Sequence, residues 1–200
     1  MTTPQDLMII ALDVAPDRPV GRGDLALALA GAELIDLLAA EAASLADDLI
    51  VPGHPPPLAD PLLSEAASSL VREAPYESVG DWLWRRGRDL PATYLAALES
   101  DGRLARQGRR GVPFRTTRMA LADSPDRRRA ADRWTAGEPV LTSLATAIGI
   151  APEDPAATAP DDDTATTVLA AVNDALLELE SVRQRRTIED AAFDNIWRGN

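Results

Sequence analysis

Apolar residues recur at helical spacing along most of the chain. In LALALAGAELIDLLAAEAAS, the residues Leu27, Gly31, Leu34 and Leu38 share one helical face. The small residues Ala30–Ala32 allow a second helix to approach closely. A similar pattern fills TATTVLAAVNDALLELESVRQ, and RRTIEDAAFDNIWRGN continues it as a further helix. Because proline and glycine divide the remaining apolar runs, we predict a mainly α fold, a compact multi-helix bundle.

Polar residues that favour helix starts precede these apolar runs. Pro61 and Pro125 stand at the first helical position of two of them, and Asp81 completes a capping-box pattern with Ser78. Gly87 and Gly102 mark helix ends. The predicted N-caps are Asp24, Asp60, Ser78, Asp89 and Ser124.

Other segments break the helical pattern. The stretch RLARQGRRGVPFRTTR predicts a β-hairpin that protrudes between helices, with arms at Leu104–Gln107 and Val112–Thr116 around GRRG. The segment DDLIV, from Asp47 to Val51, predicts a short strand, and LMIIAL is a short apolar opening segment. Residues 150–163 predict a flexible loop within one domain that spans residues 1–200.

Composition excludes several classes of protein. The chain has no cysteine, which removes disulfides, thiolate catalysis and thiolate metal sites. No apolar run approaches the length of a membrane span. The first residues carry acids and no arginine, so we expect no signal peptide. We therefore expect a cytoplasmic protein that is soluble or peripheral on the inner face of a membrane.

Charge is unevenly distributed along the chain. The net charge is -12, and all its basic residues except one histidine are arginine. Residues 85–133 hold thirteen arginines and six acids, a local balance of +7 that leaves -19 for the rest. Two interpretations stay open: the arginines form one cationic face, or they pair with the acidic remainder.

Catalytic and metal chemistry find little support. His54 is the only histidine, and it lies in a proline-rich connector without a nearby nucleophile. Asp161–Asp163 are typical of a helix cap with solvated charge. No glycine-rich nucleotide loop is present. Trp82 and Trp84 point in different directions on one helix, so one is buried and the other is exposed or covers arginines. We predict no enzyme activity and no cofactor.

An ordered set of segments resembles a known family. LALAGAELIDLL, LADPLLSEA, a tryptophan-containing helix and YLAALESDGRLARQGRRGVPFRTTRMAL follow one another as in the Golgi phosphoprotein 3 family, in its bacterial branch. The resemblance runs from Leu7 to Ile150. It implies a helical domain with a hairpin that acts as a peripheral membrane adaptor. Such adaptors bind phosphatidylinositol 4-phosphate and the cytoplasmic tails of glycosyltransferases. The sequence does not identify the protein partner of this chain.

The family's headgroup pocket maps onto four positions of this chain. Arg88 matches the family pattern, whereas Gly21, Ala30 and Pro91 replace the other three residues. A helix start at Asp89 beside further arginines favours an anion. The predicted site for an anionic lipid headgroup therefore consists of Arg88, Arg85, Arg86 and Arg22.

The basic hairpin has several interpretations. The resemblance implies membrane contact or a homo-oligomer through the hairpin, and a protein-interaction module is the alternative. A winged-helix nucleic-acid binder is disfavoured, because the preceding helix, Tyr94–Glu99, lacks side chains that read bases. The predicted hairpin contact surface is Arg103, Arg106, Arg109, Arg110, Val112, Phe114 and Arg115.

Overall fold

The structure, a computed structural model, describes residues 2–13, 20–54, 57–107, 118–152 and 160–198. Within these ranges, eight helices and two antiparallel hairpins follow one another along the chain. They are α1 (Thr3–Asp13), α2 (Arg22–Ala39), β1 (Ala43–Ala46), β2 (Leu49–Pro52), α3 (Pro61–Ser68), α4 (Val79–Arg86), α5 (Leu90–Ser100), β3 (Leu104–Gln107), β4 (Arg118–Leu121), α6 (Pro125–Thr135), α7 (Pro139–Ala147) and α8 (Asp163–Arg198). The predicted fold class, mainly α with a β-hairpin between helices, is confirmed.

Helix α2 forms the centre of the molecule. It packs against α1, α3, α4, α5, α7 and α8. Every residue from Leu27 to Ile35 is buried, as expected for a helix that is apolar on all sides. Glu33 is the one charged residue in that stretch. A buried carboxylate is stable only if it is hydrogen-bonded, and side chains of α4 and α5 supply these hydrogen bonds to Glu33.

Helix α8 lies against α2 at Gly31, a residue without a side chain. A Cβ atom added at Gly31 would lie 2.4 Å from Cγ2 of Val172. The predicted close approach at Ala30–Ala32 is thus confirmed. Since no glycine or proline interrupts its sequence, α8 continues as one helix to Arg198 rather than as two. Residues 184–190 of this helix are all exposed.

Three of the predicted N-caps are confirmed. The side chains of Asp60, Ser78 and Ser124 accept hydrogen bonds from backbone amides in the first turns of α3, α4 and α6. Pro61 and Pro125 follow two of these caps, as predicted. Local sequence was sufficient to predict these caps, because the capping side chain and the amide that it binds are only three residues apart.

Of the two other aspartate caps, the one at Asp24 was predicted wrongly, and Asp89 occupies the predicted N-cap position without a side-chain capping hydrogen bond. Helix α2 begins at Arg22, before Asp24, whose carboxylate instead accepts two hydrogen bonds from Arg183 at 2.8 and 3.0 Å. Asp89 precedes α5 in a left-handed conformation, with φ of 59°, and its side chain bonds to no α5 amide. In both cases the carboxylate accepts a hydrogen bond from an arginine that is distant in the sequence.

The strands differ partly from their predicted positions. Strand β3 occupies Leu104–Gln107 as predicted, but its partner is β4, with Leu104 paired to Leu121. The predicted second arm falls in residues 108–117, outside the described ranges. The strand predicted in DDLIV is β2, and its partner β1 carried no strand signal, because alanine and serine dominate it.

Two further segments show more order than we predicted. The apolar opening segment is part of helix α1, whose residues Leu7–Ile10 are buried. In the predicted flexible loop, Ile150 is buried in the core and Asp163 begins α8. Residues 153–159 lie outside the described ranges. No described helix combines the length and apolarity that a bilayer span requires.

Candidate functional site

The structure divides the four arginines of the predicted anion site into two groups. Arg22 and Arg88 line one cleft, together with the exposed Trp84. Arg85 and Arg86 lie outside the lining of this cleft and bind carboxylates. The cleft and the two ion-paired arginines therefore have to be considered separately.

Arg86 is bound to acidic residues within the protein. Its Nε and Nη2 atoms donate to Glu33 at 2.7 and 3.0 Å, and its Nη1 donates to Glu65 at 2.8 Å. The Tyr94 hydroxyl donates to Glu33 at 3.0 Å. Burial raises the pKa of Glu33, although the hydrogen bonds from Arg86 and Tyr94 act in the opposite direction. Arg86 thus joins α4 to α2 and α3 through carboxylates of its own chain.

Arg85 is held in a similar way. Its Nε and Nη2 atoms donate to the two carboxylate oxygens of Glu77, both at 2.6 Å. Nη2 also donates to the carbonyl oxygen of Ser69, and the guanidinium lies 5.2 Å from the centroid of the Trp82 ring. This arrangement is a bidentate ion pair with a cation–π contact, and it connects α4 to the segment that follows α3.

Pairing with acids is common among the other described arginines. Arg103, for example, lies 3.4 Å from Asp101 and 3.0 Å from Asp126. Of the two open interpretations of the uneven charge, pairing with the acidic remainder therefore applies to much of the described chain. Further pairs are Arg127–Asp13, Arg128–Asp123, Arg129–Asp126, Arg133–Asp6, Arg133–Glu138 and Arg183–Asp24.

The cleft that contains Arg22 and Arg88 has a volume of about 300 Å³. It lies between the start of α2, the turn that joins α4 to α5, and α8. Its buried lining residues, among them Leu27 and Leu83, are apolar, whereas the two arginines and Asp89 are exposed. The cleft thus has an apolar interior and a charged rim.

Gly87 brings the turn between α4 and α5 close to α2. A Cβ atom at this position would lie 2.6 Å from the carbonyl oxygen of Leu83 and 3.1 Å from that of Ala26. Only glycine permits this approach, since both neighbours are backbone atoms. The next residue, Arg88, is thereby placed at the rim of the cleft. From the sequence, Gly87 had been read only as a helix end.

Asp89 belongs to the rim but has a different role from the one predicted. Its carbonyl oxygen accepts hydrogen bonds from the amides of Ala92 and Thr93. Its carboxylate accepts one from Nη2 of Arg22 at 3.1 Å. The two side chains are 83% and 72% exposed, and they are 67 positions apart in the sequence. No local pattern could have indicated this pair.

The two tryptophans of α4 behave as predicted. Trp82 is fully buried, and its indole N–H donates to the carbonyl oxygen of Ala30 at 3.1 Å. Trp84 is 38% exposed and lines the cleft. The exposed indole adds an amphipathic group to the charged rim.

Most of the predicted hairpin surface lies outside the described ranges. Arg103 contacts acidic residues of its own chain, as described above, and Arg106 is described only by its backbone in β3. The residues that lie outside the described ranges are Arg109, Arg110, Val112, Phe114 and Arg115. Contact of this surface with a membrane, a second copy or another protein stays a prediction.

Within the predicted cap Asp161–Asp163, it is Asp162 that caps the start of α8. Both carboxylate oxygens of Asp162 accept from the Thr164 hydroxyl, and the Thr164 amide donates to Oδ1. These hydrogen bonds lower the pKa of Asp162. Within the part of the chain that the structure describes, no group of three histidine, aspartate or glutamate residues is arranged to hold a metal ion.

No curated protein matches the chain. The family model described as Golgi phosphoprotein 3 (GPP34) matches residues 4–191.

Proposed function

Because the chain belongs to the Golgi phosphoprotein 3 family, we propose that it is a peripheral membrane adaptor that binds an anionic lipid headgroup. The cleft between α2, the α4–α5 turn and α8 is the binding site in this proposal. The protein binds and positions partners, and the proposal includes no catalytic step. Phosphatidylinositol 4-phosphate is the headgroup that the family resemblance implies.

The observation that carries the proposal is the availability of Arg88. This residue is exposed at the cleft, and no carboxylate of the described ranges pairs with it. It also occupies the one family pocket position that the sequence retains. Most other described arginines are neutralised by acids, so Arg88 is one of few cations that a phosphate could reach. A guanidinium offers paired N–H donors that match phosphate oxygens.

The surroundings of Arg88 fit a lipid better than a soluble anion. Trp84 is an amphipathic side chain at the rim, of the kind enriched at membrane–water interfaces. The apolar lining, which includes Leu27 and Leu179, offers contact to the uncharged part of a lipid. A cleft of about 300 Å³ admits a headgroup rather than a whole lipid molecule.

Sedimentation with vesicles tests the proposal. Wild-type protein is mixed with phosphatidylcholine vesicles, with and without an anionic lipid, at low and raised salt. Arg88→Glu should weaken binding to anionic vesicles roughly tenfold, because one arginine near such a surface contributes about 1 kcal/mol and its reversal adds repulsion. Raised salt should weaken binding by screening.

Arg72→Glu is the matched control. Arg72 is equally an exposed arginine to which no described carboxylate is bound, but it lies outside the cleft. Circular dichroism of both variants verifies that the helices are intact. The proposal is refuted if wild type binds anionic vesicles no better than neutral ones, or if both variants lose binding equally.

A further inference from the structure

Two apolar side chains of α8 are strongly exposed. Leu177 and Ile188 are 68% and 69% exposed, whereas no other large apolar residue of the described ranges exceeds 41%. About three helical turns separate them, so both lie on one face of α8. Ser181 and Gln184 lie between them on the same face. The alternating spacing of four and three residues is that of a coiled-coil seam.

The second half of this seam belongs to a part of α8 that is exposed on all sides. Residues 184–190 are all exposed, yet α8 continues as a helix to Arg198. Helical segments of this length are only marginally stable in water on their own. Packing of one face against another element is the usual source of their stability.

The charges beside the seam change sign along α8. Glu178 lies next to Leu177, and Arg185 lies three residues before Ile188. Because Glu178 and Arg185 are two turns apart, they share one flank of the seam. Both are exposed, and neither is paired with a charged residue of the described ranges, whereas Arg183 binds Asp24 of α2. The seam thus has an acidic end and a basic end.

A second copy of α8 matches this pattern when it runs antiparallel. With a two-fold axis beside Val182, Leu177 of each copy lies opposite Ile188 of the other. The same axis places Glu178 of each copy beside Arg185 of the other. A symmetric interface of this kind makes every contact twice. A parallel pair would bring the two acidic ends together, which like-charge repulsion disfavours.

We propose that this face is a self-association surface, through which α8 pairs antiparallel with α8 of a second copy. Contacts between Leu177 and Ile188 form its two ends, and ion pairs between Glu178 and Arg185 set its direction. An anionic membrane fits this surface poorly, since Glu178 and the exposed Asp174 would face its negative charge. No residue of the seam lines the cleft that contains Arg88, so the surface is separate from the proposed lipid site.

Sedimentation equilibrium of the full chain, over a series of protein concentrations, measures the association. The mass of wild type should rise from 21.3 kDa toward twice that value. Ile188→Glu should raise the dimer Kd roughly tenfold or more, because symmetry removes the apolar contact twice and sets a carboxylate against Leu177. Val71→Glu, at an exposed apolar position outside α8, is the matched control and should leave the Kd unchanged.

Exchange of charges tests the direction of pairing. Glu178→Arg and Arg185→Glu should each weaken self-association, because each variant places like charges side by side. An equimolar mixture of the two variants should associate more tightly than either alone, since every pair across the interface then has opposite signs. Arg186→Glu is the control for Arg185→Glu. Its side chain lies about 100° further around α8, so it should have a smaller effect.

The outcomes distinguish this surface from other contacts. Wild type that stays at 21.3 kDa at every concentration refutes self-association, also if Ile188→Glu then weakens binding to vesicles. A dimer that Ile188→Glu leaves intact refutes the α8 surface. A variant mixture that associates no more tightly than its components refutes the antiparallel direction. Circular dichroism verifies that each variant keeps the helix content of wild type.

Discussion

Removal of the buried guanidinium at Arg86 tests how the central helices are held together. In Arg86→Met, the side chain keeps much of its length but loses all its hydrogen bonds to Glu33 and Glu65. Glu33 is then a fully buried carboxylate whose remaining side-chain donor is the Tyr94 hydroxyl. Arg86 itself is only 10% exposed, so water replaces it poorly.

The expected loss of stability is large. Removing one partner of a buried ion pair costs about 3–5 kcal/mol, because the other charge stays buried without compensation. For a chain of this size, each kcal/mol corresponds to about 2–4 °C in Tm, so we expect a decrease of about 6–20 °C. The loss should shrink as the pH falls. Burial raises the pKa of Glu33, and the pKa rises further without Arg86, so the folded variant binds a proton more tightly than the unfolded chain does.

Thermal and urea unfolding, followed by circular dichroism at several pH values, measure this effect. Arg72→Met, at an exposed position, is the control and should change stability by less than about 0.5 kcal/mol. Glu33→Gln/Arg86→Met removes both charges, and it should recover a substantial part of the loss seen in Arg86→Met. A loss below about 1 kcal/mol in Arg86→Met, or a double variant less stable than it, would show that the pair does not stabilise the fold.

Two further predictions concern the packing and titration of α2. Gly31→Ala should destabilise the fold by about 1–3 kcal/mol, because the added Cβ would lie 2.4 Å from Cγ2 of Val172. Gly80→Ala in α4 is the control, since its Cβ meets no close neighbour and the change should stabilise the helix slightly. Urea unfolding of both variants distinguishes steric conflict from helix propensity. Burial raises the pKa of Asp36, although a hydrogen bond from the Thr3 amide opposes it. The folded state therefore binds the proton more tightly, and the stability of wild type relative to Asp36→Asn should rise as the pH falls from 7 to 4; a constant difference would contradict this sign.

Local sequence patterns were sufficient to predict features whose interacting residues are close in the sequence. The cap at Asp60 and the core of α2 follow from residues within one or two turns. The strand partner of β3 was placed too early, since strand pairing depends on contacts across an intervening segment. The headgroup site was predicted as four arginines, of which Arg85, Arg86 and Arg88 are near in sequence, and the structure brings only Arg22 and Arg88 together in one cleft.

The sequence alone determined the helical class of this protein, the burial of α2, the caps of α3, α4 and α6, and membership of its family. Only the tertiary structure decided which arginines are available to a ligand. Arg86 and Glu33 are 53 positions apart, and Arg22 and Asp89 are 67 apart. Whether a charge is buried, paired or free depends on which helices pack together. The burial of apolar side chains determines that packing, and the positions of the charges follow from it.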